Sequence, residues 1–358
     1  MGDTELIGFI KQVSGGTHLR VEEDLGSGFV RLRSEEAERR QAKHDIRCVE
    51  DIVVEMLRNA RDAEAHAIYV ATTREGDART LTVIDDGLGI PAHLHSLVFE
   101  PRVTSKLETM VMDDWGVHGR GMALFSIRSN VDEARVVSSA VGLGTALFIR
   151  VDTTVLPEKA DQSSFPRIEK DEEGRLRVVK GPHNLLRASL EFALAHRREP
   201  EIYFGSPSEI AATLLEQGRR QVSNETLLFC DDARTLPIGQ RLATSADAGE
   251  LLENCAHMGL VISERTAHRI LSHLISPLRP LYDLARSGGR KAAGDLTTDL
   301  TRDSRGLKLA PEDVELFSRE MEKAFEMIAE RYYLSLSDLP SVRVKGDSIT
   351  VRFPIEKE

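Results

Sequence analysis

Residues 49–63 run Val49-Glu50-Asp51-Ile52-Val53-Val54-Glu55-Met56-Leu57-Arg58-Asn59-Ala60-Arg61-Asp62-Ala63, and this stretch decides the fold. Ile46, Val49, Ile52, Val53, Met56, Leu57 and Ala60 recur at three- and four-residue spacing, the period of a helix with one apolar face. Glu55, Asn59 and Asp62 fall elsewhere on the wheel. At ~100° per residue, Asn59 lies about 40° and Asp62 about 20° from Glu55, on opposite sides of it. Three polar groups thus face one way from a helix anchored by its apolar side. A solvated acidic face explains such a stripe as well as a site does, so the helix alone fixes no function.

Upstream, Ser34 reads as an N-cap, with Glu35 and Glu36 in the first turn against the helix dipole. The helix is expected from there to about Glu64, with a break near Lys43. Residues 5–33 read as short strands, LIGFIKQV, HLRVEEDL and GFVRLR, separated by SGG and GSG turns.

Downstream, the strands AIYVATT and TLTVIDD lead into Asp85-Asp86-Gly87-Leu88-Gly89-Ile90. An acid at a strand end followed by glycines places a polar group on a rigid support beside closely approaching backbone. Residues 87–121 have little periodicity and read as an extended loop, of a length that in compact domains marks a functional lid or a disordered segment. The loop ends in Gly116-Val117-His118-Gly119-Arg120-Gly121-Met122-Ala123-Leu124, glycines opening a short helix. Free amides at such a helix start attract phosphate. A hairpin, EARVVSSA–VGLG–TALFIRVDT, follows.

Together these three motifs resemble the GHKL superfamily of ATP-binding domains: gyrase-type topoisomerases, the ninety-kilodalton heat-shock chaperones, histidine kinases and MutL-type mismatch-repair ATPases. The helix resembles that family's N box, DDGLGI its first glycine box, and GVHGRGMAL its second. Gly144-Thr145 resembles its terminal Gly-Thr. The resemblance covers about residues 35–152.

It implies ATP and Mg²⁺ as cofactors. Asn59 would hold the Mg²⁺, a hard ion that takes oxygen ligands. Asp85 would accept a hydrogen bond from the adenine amine, with Thr145 supporting the base. Gly87 and Gly89 would let backbone approach the nucleotide. Gly119 and Gly121, with Met122 beside them, would line the phosphates, and Asp62 joins the cofactor-binding set. Glu55, one turn before Asn59, would orient and deprotonate an attacking water. Phe99-Glu100-Pro101-Arg102-Val103-Thr104-Ser105-Lys106 resembles both the histidine-kinase lid and, in Thr-Ser-Lys, the MutL lid. Lys106 would meet a phosphate as a point charge.

The fold implied is α/β (α+β), a two-layer sandwich with helices on one face of a mixed, mostly antiparallel sheet. An ATP-binding domain is expected over 1–152, with strands 1–33 accessory to it. A linker is expected over 153–182, where Pro157, Pro166, Gly174 and Pro182 accompany a dense charge run. Residues 183–358 are expected to form a mainly helical partner or effector module. Its helices are read near 184–197, 247–258, 264–275 and 312–331. Another follows a capping box at Ser206 and Glu209, and the hairpin SVRVKGDSITVRFP ends the module.

The 358 residues carry 47 Lys and Arg against 58 Asp and Glu, net −11, shared as −6 before residue 150 and −5 after it. Neither half is a general polyanion binder, so nucleic acid is not a favoured partner. One weak hint is LLENCAHMGLVISERTAHRILSHL, which reads as two helices around a turn. No apolar run approaches the ~20 residues of a membrane span. The opening residues MGDTELIGFIKQ do not read as a secretory signal. Cys48, Cys230 and Cys255, an odd number without CxxC, suit a reducing cytoplasm.

The leading expectation is slow Mg²⁺-dependent ATP hydrolysis driving lid closure or nucleotide-dependent homodimerisation, with a protein partner unidentified. The first alternative is a histidine-kinase-like phosphotransferase. It lacks the usual phosphoacceptor hairpin, since only 54 residues precede Glu55 and the first ~33 read as β structure. The second is a non-enzymatic ATP-sensing regulatory or DNA-binding protein.

Overall fold

A computed structural model describes residues 21–33, 36–105, 111–113, 116–118, 121–159, 162, 164–196, 199–223, 225, 230, 232–287, 311–332, 334–345 and 348–357. The chain divides into two compact units, residues 1–289 and 290–358.

The first unit is built on a five-stranded sheet. Its strands are β3 (Ala67–Glu75), β4 (Ala78–Asp85), β8 (Glu133–Ser139), β9 (Thr145–Asp152) and β12 (Glu201–Gly205). Their order is β12-β3-β4-β9-β8. β12 runs parallel to β3, and the other neighbours are antiparallel, so the sheet is mixed and mostly antiparallel. The N-terminal helix breaks into α1 (Glu36–Asp45) and α2 (Val49–Asp62), with the interruption at 46–48. Cys48, in extended conformation, stands at the start of α2, and Asp51 reaches back to its amide.

One face of the sheet packs against α2 and α4 (Leu185–Ala195). Ile68, Val70, Leu81, Val83, Leu147 and Ile149 meet Ile52, Val53, Met56, Leu57, Leu190 and Phe192. The α/β sandwich is therefore as expected. The opposite face is also covered. Tyr69, Ala71, Ile84, Ala146 and Tyr203 pack against α5 (Pro207–Gln221), the 3-10 turn Ile238–Thr244, α6 (Ala248–Ala256) and α7 (Glu264–Leu271). Ser206 accepts from the Glu209 amide at 3.4 Å and receives its carboxylate in return, the capping box expected for α5.

The helices assigned to a separate effector module thus add a layer to the sheet, and β12 extends it. Short-range patterns do not reveal this, because both contacts join residues far apart in the sequence. The expected linker holds an antiparallel hairpin, β10 (Arg167–Lys170) with β11 (Leu176–Lys180). Before the hairpin, the chain is tied to α2. Val49 N–H donates to Pro157 O, and the buried Glu50 carboxylate accepts from Lys159 N and Gln162 Nε2. Glu158, also buried, pairs with Arg79 and Arg74.

A second, three-stranded sheet joins β1 (Val21–Gly26), β2 (Phe29–Leu32) and β5 (Val103–Thr104). The N-terminal hairpin therefore pairs with the base of the long loop. That loop also holds two 3-10 turns, at 92–94 and 97–99, and the antiparallel strands β6 (Val111–Asp113) and β7 (Gly116–His118). α3 (Ala123–Asn130) follows it. α8 (Leu281–Arg286) closes the described part of this unit.

The second unit comprises α9 (Pro311–Tyr332) and two antiparallel pairs. β13 (Leu334–Leu336) joins β16 (Ile355–Lys357), and β14 (Ser341–Lys345) joins β15 (Ser348–Arg352), the hairpin expected at the end of the chain. Phe325 and Phe353 stack with ring centroids 5.0 Å apart.

Candidate functional site

The position of Asp85 follows from strand register. Asp85 ends β4 opposite Ile68 of β3 and Thr145 of β9, and Thr145 in turn faces Ser139 of β8. Directly paired residues share a face of the sheet. Asp85, Thr145 and Ser139 therefore stand in a row on the side that α2 covers, since Ile68 belongs to that core. Asp85 is 5% exposed and Thr145 4%.

The turn after β4 presses on the end of α2. A Cβ on Gly87 would lie 2.5 Å from Ala63 O and 2.9 Å from Asp85 Oδ1, so any side chain there would force helix and turn apart. Leu88 N–H donates to Ala63 O at 2.8 Å. Asp86 Oδ1 accepts from His66 N and Ala67 N at 2.7 and 2.9 Å, fastening the turn to the start of β3. Asp86 thus has a structural task that the sequence reading left open. Gly89 abuts Ala140.

Gly144, at φ +82°, is another close approach. A Cβ there would meet Asp85 O at 2.3 Å and Ile238 Cγ2 at 2.7 Å. The second helical layer therefore reaches the floor of this row. Ile238 N–H also donates to Leu143 O, and buried Arg241 donates to Ser138 Oγ at 2.6 Å.

α2 contributes the opposite wall. It is buried on most sides, at Val49, Ile52, Val53, Met56, Leu57 and also Glu50 and Arg58. Glu55, Asn59 and Asp62 are half-buried. A freely solvated acidic face would leave them open to water. Asn59 Nδ2 is fully buried and has no hydrogen-bond partner. A buried polar group without a partner is costly unless a ligand completes it. Glu55 pairs with buried Arg58, and Asp62 with Arg61 at 2.8 Å. The Arg61 guanidinium lies over the Phe192 ring and contacts His196, which caps the C-terminus of α4. Asp62 thus joins the α2–α4 junction. Arg58 was missed by the sequence reading, because an arginine on a helix gives no sign of being buried.

Burial pushes the Asp85 carboxyl up to about 7, against the Gly87 amide, which donates to it at 3.0 Å and favours the ionised form. The acid sits at the boundary between its two states near neutral pH. It can accept a hydrogen bond from a ligand amine once ionised.

At the other end, Gly121 packs on Val103 and Thr104 of β5. Its carbonyl accepts from the Arg102 amide at 2.8 Å. Carbonyl and amide of one trans peptide point in opposite directions, so the Met122 amide points away from Arg102. Arg102 has φ +63°, donates to Glu38 and carries a buried Nε without a partner. Its carbonyl accepts from Leu32 N–H at 3.0 Å, and Arg31 reaches Glu100 at 2.6 Å. The N-terminal hairpin and α1 thus grip the base of the loop.

Lys106, Gly119, Arg120 and Trp115 lie outside the described residues. Among the described residues, no group of three or more His, Cys, Asp and Glu side chains is placed to hold a metal ion. His93 and His95 instead contact the carbonyls of Leu25 and Ile90. Mg²⁺ takes oxygen ligands and keeps water and phosphate in its shell, so Asn59 would offer it Oδ1, while the unpartnered Nδ2 is a donor suited to an anionic oxygen.

Residues 44–155 match the family described as histidine kinase-, DNA gyrase B-, and HSP90-like ATPase. The chain is also 36% identical to the DNA mismatch repair protein MutL of Rhodospirillum rubrum, over 36% of this chain and 22% of that protein. The matched stretch thus spans about a fifth of that relative's length.

Proposed function

We propose that residues 44–155, which match the histidine kinase-, DNA gyrase B-, and HSP90-like ATPase family, form an ATP-binding domain of the GHKL superfamily, and that this protein binds ATP with Mg²⁺ and hydrolyses it slowly to drive a conformational switch. One observation carries the reading. A buried carboxyl ends β4, a buried amide nitrogen on α2 lacks a partner, and the turn that follows Asp85 abuts the end of α2 at Ala63.

Asp85 accepts from the exocyclic amine of the base, and Thr145 stands beside it. Asn59 offers its amide oxygen to the metal. The Gly121–Met122 backbone at the start of α3 donates to the phosphates, joined by Gly119 and Lys106. When bound, Mg²⁺ would neutralise phosphate charge. Glu55 orients the attacking water and takes its proton. Its pairing with Arg58 fixes the direction of that carboxylate. Gly89 gives the base room on the turn side.

The loop between the glycine boxes is the element that closes, and closure favours association of two copies. The free thiols of Cys48 and Cys255, both buried, suit a reducing cytoplasm. Among the described residues no helix is long and apolar enough to cross a membrane. The net charge weighs against nucleic acid as a partner.

Phosphate release from ATP and Mg²⁺ tests the reading. Glu55→Gln is expected to lower turnover ~10²–10⁴-fold, the usual worth of a general base, while sparing ATP affinity. Undiminished turnover removes Glu55 from the mechanism. Stable label on the protein from γ-labelled ATP, without free phosphate, indicates phosphotransfer instead.

A further inference from the structure

We propose that Ser139, which contacts neither phosphate nor metal in this reading, is a specificity-determining residue that makes the base pocket acceptor-only and so selects 6-aminopurine nucleotides. The inference rests on the reading of Asp85 and Thr145 as the base pocket.

The argument is a count of protons. A serine hydroxyl has one hydrogen to give and two lone pairs to receive with. Ser139 Oγ lies 2.9 Å from the Gly144 carbonyl, which can only accept, so the hydrogen is committed there. The Ile90 amide donates to the same oxygen at 2.7 Å and occupies one lone pair. Thr145 Oγ1 stands 3.0 Å away, facing the lone pair that remains. Thr145 must therefore donate to Ser139. Its own hydrogen is spent, and it can show a ligand only lone pairs.

Ser139 is 8% exposed, so water does not readily replace these bonds. The hydroxyl is also fixed from both sides of the crevice. Ile90 follows the first glycine turn, and Gly144 precedes Thr145. Asp85 stands directly opposite Thr145 in the strand register, and at pH 8 its carboxylate is ionised and accepts as well. Two adjacent acceptors match an exocyclic amine, which offers two hydrogens. They oppose a 6-oxo group, which offers lone pairs to lone pairs. A site whose buried polar groups stay unpaired rejects the wrong ligand more strongly than a merely tight one.

Removing the Ser139 hydroxyl frees the Thr145 hydrogen to turn toward a 6-oxo group. The test uses the full chain, Mg²⁺ and non-hydrolysable forms of ATP and ITP, with affinities read by calorimetry at pH 8. The native chain should bind the ATP form and discriminate against the ITP form. Ser139→Ala should shrink the ratio of the two affinities about tenfold, the worth of one hydrogen bond. Ser139→Thr, which keeps the hydroxyl, should restore it. Adding Thr145→Val to Ser139→Ala should abolish the gain for ITP.

Thr145→Val alone serves where Ser139→Ala does not fold. It should weaken ATP binding and leave ITP binding no weaker. A folded Ser139→Ala with an unchanged ratio would overturn the proposal, as would ITP binding that weakens in Thr145→Val. Equal affinity of the native chain for both nucleotides overturns it too. A native chain that binds neither overturns instead the reading of the site as an ATP pocket.

Discussion

Asp85 pays for its position. Burial raises its carboxyl from 3.8 to about 7, so the folded state holds this proton over a pH range where the unfolded chain has released it. Stability from this group is full below about pH 4 and declines as the pH rises to about 7. Above that the penalty is constant. Asp85→Asn keeps an oxygen for the Gly87 amide and removes the charge. The variant should therefore be more stable than the native chain at pH 8, with the difference fading by pH 4–5. Urea unfolding of both at the two pH values measures this. An equal or lower stability of Asp85→Asn at pH 8 would show that burial of the charge costs nothing here. The residue itself was readable in the sequence, because an acid ending an apolar strand before glycines has a distinctive local pattern. Ser139 was not. A serine in a strand gives no sign of which neighbours will take its proton.

At the scale of elements, α2 was readable for the same local reason. Its apolar positions recur with helical period, and the break before it falls at 46–48, close to the expected place. The register that puts Asp85 beside Thr145 was not available from pattern alone, since it depends on β9 pairing across β4. β12 escaped notice because five residues, Glu201-Ile202-Tyr203-Phe204-Gly205, show no alternation that separates a parallel edge strand from a loop. α5 was expected as a helix from its capping box. Its buried run Ile210-Ala211-Ala212-Thr213-Leu214-Leu215 signalled a helix enclosed on several sides, but not which surface enclosed it. The grip of the N-terminal hairpin on β5 was equally hidden, because Arg31 and Arg102 find Glu100 and Glu38 through tertiary placement.

At the scale of the whole molecule, the division after Gly289 replaces the boundary that composition suggested near residue 152. Prolines and charges mark surface chain, and here that surface chain is a hairpin between two parts of one unit. All residues of both cores precede residue 286. A chain ending at Gly289 should therefore keep the native ATP affinity. A chain ending at Pro182 loses β12 and the helices over Tyr69, Ala71, Ile84 and Ala146. It should aggregate or lose cooperative thermal unfolding. A soluble, cooperatively folding 1–182 chain would show that the second layer is dispensable to the sheet.

The contact of Ile238 with Gly144 gives that layer a direct route to the base pocket. The central claim remains that Asp85 receives the base. Calorimetry of the full chain with non-hydrolysable ATP and Mg²⁺, between pH 5.5 and 8, tests it most directly. Binding to the ionised carboxylate should release a proton below about pH 7, so affinity should rise with pH to that point and then level. Asp85→Asn should weaken binding about 10–100-fold, the worth of a charge-assisted hydrogen bond, and remove its pH dependence. Absence of binding heat from the native chain, or undiminished affinity in Asp85→Asn, would contradict the account.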